Sequence, residues 1–556
     1  MNRPTPAIVT QLAARRLPRW VLLLLGLLYV LPGLVGRQPW RQADLASFGV
    51  MLDMAQHPNH WLSPQLLGQP ADVAAWLPYW LGAVAIKTLP FMAPDMAVRV
   101  PFGLLLVLTL VSTWYATYHL ARLHSAQPMS FAFGGQALGT DYALALADAS
   151  LLALIASLGL AQLGHENTPD AAQLACASVM LYACARLASP HARWLWLSAL
   201  TWWGGAVGLA LSGAPWLGLF LGLGWLVWTA AHKRPNPSTR RWRVWVWALS
   251  GTLVAAALAW ELELPRRVEV WADMDAWLQM EPWLAMGHLL AWFAWPVWPL
   301  ALWTLWRWRT HLGSAHIALP LWFALAGLGS SWLLGGSDRA LLMALPGMAC
   351  LAAFALPTLS RNITALIDWF ALLFFSLLAL VIWVMWVAMQ TGIPAKPAAN
   401  VAKLAPGFQD SFSWAIFIPA LLATLAWLAV MRWRIGKHQP ALWKSLVLSA
   451  SGITLCWLLL LTLWLPLLNH GMGLASMSRR IASHIPPGAC VAVHGLNAPQ
   501  ITGLIYHGGL QLQRLGQEQT PAESCTRLVI SPVAFEPRRS ELETQGWTLR
   551  ASVPRL

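Results

Sequence analysis

The chain has 556 residues, 58% of them hydrophobic and only 10% charged, with 38 Trp and a formal net charge of +14. That balance excludes a soluble domain, and apolar runs of about 20 residues recur through most of the length, so the fold class is an α-helical polytopic membrane protein. The charge does not point to nucleic acid. The basic residues cluster between apolar runs, at Arg15, Arg16 and Arg19, at Lys233 to Arg243, at Arg307 with Arg309, and at Arg432, Arg434 and Lys437, which is the positive-inside pattern.

Residues 1 to 19 are short and basic and are expected in the cytoplasm; no small-residue cleavage site follows the first apolar run, so that run reads as a retained span. Span 1 is predicted over Trp20 to Val35, running outward. The loop of residues 36–99 is then outside. Its apolar stretch Trp76 to Phe91 is interrupted by Pro78, Lys87 and Pro90 and is predicted to be a helix lying in the interface or partly re-entrant, not a full span. Further spans are predicted at Pro101 to Leu120, Tyr142 to Leu163, Ala171 to Leu187, Trp194 to Leu211, Trp216 to Ala231, Val244 to Trp260, His288 to Trp306, Ala318 to Leu334, Ala340 to Leu359, Thr364 to Met389, Ser413 to Val430 and Leu446 to Leu468. About thirteen spans result, and every strong basic cluster between them falls inside.

Residues 1–475 thus form the membrane domain, and residues 476–556 differ in composition. Cys490 to His494 and Leu528 to Ser531 are short β-branched runs bounded by Gly and Pro, read as buried strands with a helix over residues 499–508 between them. A small extracytoplasmic α/β domain accounts for this. Cys490 and Cys525 are its disulfide candidate, whereas Cys176, Cys184, Cys350 and Cys456 lie inside apolar runs.

Three groups of polar residues can carry chemistry on the outer side. The first is Asp44, ahead of Leu45, Phe48 and Leu52, whose spacing predicts an amphipathic helix; as an N-cap its carboxylate would bond the backbone of Ser47. A carboxylate on a rigid interfacial helix can also meet a bound lipid phosphate at a fixed place. The second is Glu166 and Asp170 at the next outer span end, with His165 beside them. Asp170 follows Pro169 and suits the first turn of a helix, where the dipole favours an acid. The third is a set of arginines outside, against the charge trend: Arg41, Arg99, Arg266, Arg267 and Arg339. Guanidinium forks hold phosphate in bidentate fashion. Trp40 and Tyr79 are candidate substrate contacts. No Cys/His zinc spacing is present, so no metal or cofactor is indicated, although the chemistry would tolerate a divalent ion.

This order of parts resembles the GT-C glycosyltransferases, in the branch of the lipid A aminoarabinose transferases and protein O-mannosyltransferases. Ala43-Asp44 matches that branch's first-loop acid pair, Leu45 to Met54 its following helix, His60-Trp61 with Pro64 its turn, and Leu77 to Leu81 its Tyr-Trp helix. Asp170 resembles the second-loop acid, and Asp338-Arg339 through Pro346 the basic residue and Leu-Pro motif. One acid of the pair is replaced by Ala43, and Ala74-Ala75 stand where the branch has Lys-Pro, which leaves Arg41 or Arg339 to take the lysine's part. The resemblance implies an inverting transferase of the bacterial inner membrane. It would move a sugar from a polyprenyl-phosphate donor to a lipid or protein acceptor on the periplasmic face, with Asp44 as proton acceptor, Asp170 or Glu166 assisting, and Arg41, Arg99 and Arg339 on the donor phosphate. A transporter of a lipid-linked sugar is the alternative; it would need ionisable residues at mid-membrane, and the spans show few: Asp148 and Asp368 are near predicted span starts and most remaining acids are in loops.

Overall fold

The computed structural model describes residues 4–40, 42–71, 73–189, 195–231, 239–261, 280–408, 411–436, 441–514 and 525–553. Among these, seven helices are long and apolar enough to cross a membrane: Pro94–Ala121, Gly139–Ala156, Pro169–Ala188, Ala315–Leu333, Asp338–Thr358, Arg361–Thr391 and Trp414–Arg434. Four shorter apolar helices accompany them, at Arg19–Gly33, Trp196–Leu211, Pro215–Ala231 and Val246–Leu258. Two further elements are bent pairs. The helix expected over His288 to Trp306 turns by 99° between Trp283–Phe293 and Val297–Arg307, and the one expected over Leu446 to Leu468 turns by 70° between Lys444–Leu460 and Leu465–Met472. Both corrections have one cause: Pro296 and Pro466 remove a backbone donor and clash with the preceding turn.

The bundle is layered around Asp338–Thr358, 94% of whose most apolar stretch is buried, while Trp414–Arg434 is buried over only 11% and turns its apolar surface outward. Close approach at the centre needs small residues. A Cβ on Gly347 would meet Ala324 N at 2.8 Å, and one on Gly327 would meet Met343 C at 2.6 Å, so these two helices touch backbone to backbone. Two acids set inside the spans, Asp148 and Asp368, have partners. Asp148 accepts from Leu17 N and Trp114 Nε1, both at 2.9 Å, and Asp368 pairs with Arg434.

Three short helices build the end of the bundle that matters below: α1 (Arg19–Val30), α2 (Gln42–Gln56) and α3 (Leu77–Thr88). At 12 residues, α3 extends about 18 Å and is too short to cross a bilayer. It packs on α2. The expectation of a one-sided amphipathic α2 needs correction. Leu45, Phe48 and Leu52 are buried, but so are Gly49, Val50, Met51 and Met54. The C-terminal region covers the other side.

That region holds a three-stranded parallel sheet of β1 (Cys490–His494), β2 (Gln511–Arg514) and β3 (Arg527–Ile530), in the order β2-β1-β3. Cys490 pairs with Gln511 and Val491 with Arg527. Helix α4 (Ala498–Tyr506) is the crossover from β1 to β2, started by a capping box between Asn497 and Gln500. The sequence reading lacks β2 because QLQR is an edge strand with alternate residues exposed, so it carries no apolar run. Cys490 and Cys525 are joined, with Cα atoms 4.7 Å apart, and the other four cysteines are free and buried. The bridge spans 35 residues, for which loop closure predicts stabilisation of about 2–4 kcal/mol. Cys490→Ser is expected to lower the unfolding midpoint of the C-terminal region in a thermal scan; an unchanged midpoint would count against that contribution.

Candidate active site

The site is assembled where the chain leaves α1. Asp44 sits in the first turn of α2, two positions inside the helix and not at its cap. Its carboxylate reaches back out of the helix instead of bonding Ser47. Oδ2 accepts from Trp40 N at 3.1 Å and from Arg37 Nη2 at 3.0 Å, and Oδ1 accepts from Asn167 N at 2.9 Å. Both Asp44 and Arg37 are buried. Nη1 of the same guanidinium donates to the carbonyl of His165 at 2.8 Å, and its face lies 4.7 Å from the Trp40 ring. One ion pair therefore holds the first polar loop and the loop before Pro169–Ala188 together. The indole of Trp40 donates to Asn469 at 2.8 Å, tying both to the segment after the 70° bend.

The second acid is Glu166, fully buried, whose Oε2 accepts from Arg339 Nη2 at 2.8 Å and Nε at 3.2 Å. Arg339 Nε also lies 4.0 Å from Asp170. Burial and the nearby Asp44 carboxylate push the Glu166 carboxyl above the ordinary range, while Arg339 and then Arg37 pull it back. Its Oε1 has no hydrogen-bond partner among the described residues. His165 is buried against α1. Its Nδ1 donates to Ala161 O at 2.6 Å, its Nε2 lies 3.1 Å from Tyr29 O, and a Cβ on Gly33 would strike the ring. Burial, then Arg37, lowers its pKa to about 4, so the imidazole is neutral at pH 7. Its geometry is that of a packing residue.

Arg99 opens the next helix, Arg99–Ala121, and is also buried. Its Nε donates to Asp95 O at 3.1 Å, but Nη1 and Nη2 have no hydrogen-bond partner among the described residues. It lies close enough to Arg37, Asp44, Asp95 and Tyr506 for their charges to act on it. Tyr506 belongs to α4, and its hydroxyl donates to Asp95 Oδ1 at 2.8 Å; its ring packs edge-on to Phe48 of α2 at 4.9 Å. A Cβ on Gly49 of α2 would strike Thr502 of α4. The C-terminal region is thereby docked on the helix that carries Asp44.

The structure brings together Asp44, Glu166, Asp170, His165, Trp40, Arg99 and Arg339. Tyr79 is on the buried face of α3, and none of the contacts above includes it. Arg41, Arg266 and Arg267 lie outside the described residues. Sequence reasoning missed Arg37, Asn167, Asp95, Asn469 and Tyr506. Arg37 carried a usable signal, being a cation at the predicted outward end of a span, against the charge rule. The others are ordinary polar residues whose partners lie far away in sequence, such as Asn469 for Trp40.

No protein-family model matches this chain, and no curated protein is significantly similar to it in sequence. Solved structures are similar. The crystal structure of ArnT from Cupriavidus metallidurans bound to undecaprenyl phosphate matches with a TM-score of 0.60 and 14% identity, over 97% of this chain and 96% of that one. The apo structure of the same protein matches with a TM-score of 0.56 and 15% identity, over 94% of each chain. The fold is therefore ArnT-like, of the GT-C type, along nearly the whole length.

Arg37 and Asp44 generate a test of the network. Removing one partner of a buried ion pair costs about 3–5 kcal/mol, because the other charge is left uncompensated. Arg37→Met and Asp44→Asn are each expected to lower thermal stability strongly, and the double variant to lie well above the sum of the two losses. Additive losses would show that the pair is not coupled.

Proposed function

We propose that this chain is an inverting glycosyltransferase of the bacterial inner membrane, taking a sugar from a polyprenyl-phosphate donor and passing it to a hydroxyl of a lipid or protein acceptor on the periplasmic face. The observation that carries the reading is the buried cluster of acids and arginines at one end of an ArnT-like bundle, with Arg99 Nη1 and Nη2 and Glu166 Oε1 without hydrogen-bond partners among the described residues. Buried donors and acceptors in that state cost stability, and a site for an anionic substrate gives them a purpose. The undecaprenyl phosphate of the similar structure supports the donor class. The basic clusters at Arg15, Arg16 and Arg19 support a cytoplasmic N-terminus, which puts the Asp44 end of α1 and the C-terminal domain outside.

In this reading the acceptor oxygen attacks the anomeric carbon as the bond from that carbon to the phosphate oxygen breaks. Polyprenyl phosphate leaves, and the acceptor proton passes to Asp44. Asp44 is held in place by three donors, Arg37 Nη2, Trp40 N and Asn167 N. The transition state has oxocarbenium character, with leaving-group departure running ahead of proton loss. Arg99, Arg339 and Arg41 neutralise the phosphate as charge develops on it. Asp170 and Glu166 position the acceptor. Asp148 and Asp368 are held by structural partners, so neither observation favours transport.

The test uses purified wild type in lipid nanodiscs with a panel of radiolabelled polyprenyl-phosphate sugars and membrane lipid extract as acceptor source. Labelled product is expected from one donor class, and Arg99→Gln is expected to reduce the rate by roughly 10²–10³-fold, as for loss of one transition-state donor. Full activity of a well-folded Arg99→Gln protein would remove that residue from the site. Translocation of the intact donor, with no transfer, would replace this reading by the transporter.

A further inference from the structure

The end of α2 remote from Asp44 carries a second cluster that the transferase reading does not use. Asp53 lies in the last turn of α2, His57 directly after it, and His60 in the 3-10 turn Pro58–His60. His57 Nδ1 is 3.1 Å from Asp53 Oδ1, and His60 Nδ1 is 2.7 Å from Asp53 Oδ2. One ligand atom from each residue lies within 4.8 Å of the other two. Both imidazoles present the same nitrogen to the one carboxylate, and their rings are 4.8 Å apart. Asp53 and Asp44 are nine positions apart on one helix, so the cluster sits about 14 Å from the reaction centre.

The end of the helix explains the convergence. His57 follows α2 directly, four positions after Asp53, where the next turn would bring it over the carboxylate, and the 3-10 turn Pro58–His60 brings His60 back to the same carboxylate. The turn is fixed independently of the cluster. Trp61 Nε1 donates to Met54 O at 2.9 Å, Trp80 Nε1 donates to Trp61 O at 2.9 Å, and Lys87 Nζ lies over the Trp61 ring. The ligands are thus held near their places before any ion arrives. Side-chain exposures of 55% for His57, 21% for His60 and 15% for Asp53 leave one side of the cluster open to solvent.

We propose that Asp53, His57 and His60 form a three-ligand site for a divalent transition-metal ion of the zinc class, with the fourth position open to solvent. Two imidazole nitrogens and one carboxylate oxygen form a donor set that zinc accepts with tetrahedral geometry at about 2.0–2.2 Å. Such bonds place ligand atoms slightly over 3 Å apart; the imidazole–carboxylate separations are 3.1 and 2.7 Å, to different oxygens, and one ligand atom of each residue lies within 4.8 Å of the others. The ion takes the place of the imidazole–carboxylate hydrogen bonds that now join the three side chains. Bound there, it fastens the turn carrying Trp61 to the end of the helix that begins with Asp44. The open coordination position faces the medium, where an anionic oxygen can complete the shell. This inference is independent of the transferase reading.

The test uses the full chain, purified in detergent with a tag free of histidine and stripped of metal. Titration with Co²⁺ is expected to give visible d–d absorption saturating at one equivalent, displaced by Zn²⁺. His57→Ala/His60→Ala is expected to lose the band and to weaken Zn²⁺ in calorimetry by more than the roughly 10–100-fold that a change in an outer-shell partner costs. His484→Ala, remote in sequence, is expected to bind as wild type does. If the double variant fails to fold, Asp53→Asn, which keeps the shape and removes the charge, gives the same comparison. No saturable cobalt band in wild type, or unchanged binding in a folded variant, would overturn the proposal and leave a hydrogen-bonded turn.

Discussion

The site depends on one buried charge that cannot stand alone. Arg37 sits where α1 ends, fully enclosed, and a guanidinium in that position requires a carboxylate and further acceptors. Asp44 supplies the first and the His165 carbonyl the second. Those two bonds oblige the loop after the first helix to fold against the loop before Pro169–Ala188, which brings Glu166 and Asp170 to the same place. Arg339 then closes the far side on Glu166. The result is two neighbouring ion pairs, Arg37 with Asp44 and Arg339 with Glu166, contributed by three separate stretches of sequence.

The same helix also organises the C-terminal region. Gly49 lets Thr502 approach α2 closely, Phe48 packs on Tyr506, and the Tyr506 hydroxyl reaches Asp95 near the start of the helix that carries Arg99. Burial, then the Asp95 hydrogen bond and charge, push the Tyr506 phenol upward, so it acts as a neutral donor. Because Asp95 in turn accepts from Arg99 through its backbone carbonyl, the small α/β domain is mechanically joined to the candidate phosphate-binding residue. A domain fastened in this way helps to set the shape of the site.

The membrane elements were legible in the sequence because a bilayer imposes long apolar runs, and the charge rule ordered them. The bends were not, because Pro296 and Pro466 look like tolerated helix prolines until their neighbours are known. Asp44, Glu166, Asp170, Arg99 and Arg339 could be picked out because an ionisable side chain beside an apolar run is conspicuous. Arg37 did not stand out beside Arg41, which lies within the same polar stretch as Asp44, because the burial of Arg37 is not displayed by sequence. The burial of α2 on both sides was equally hidden, since its second partner, α4, lies more than four hundred residues away. The strand Gln511–Arg514 escaped for want of apolar residues, and the sheet depends on it only for an edge.

The central claim is that Asp44 is the proton acceptor of glycosyl transfer and not only the counter-ion of Arg37. The most direct measurement compares initial rates of sugar transfer from a radiolabelled polyprenyl-phosphate donor for wild type, Asp44→Asn and the Arg37→Met/Asp44→Asn pair, each checked for folding by thermal unfolding. The account predicts that the double variant regains stability over Asp44→Asn and stays without measurable transfer. Transfer by a folded Asp44→Asn protein at the wild-type rate would contradict it and leave Glu166, whose Oε1 has no partner among the described residues, as the residue to examine.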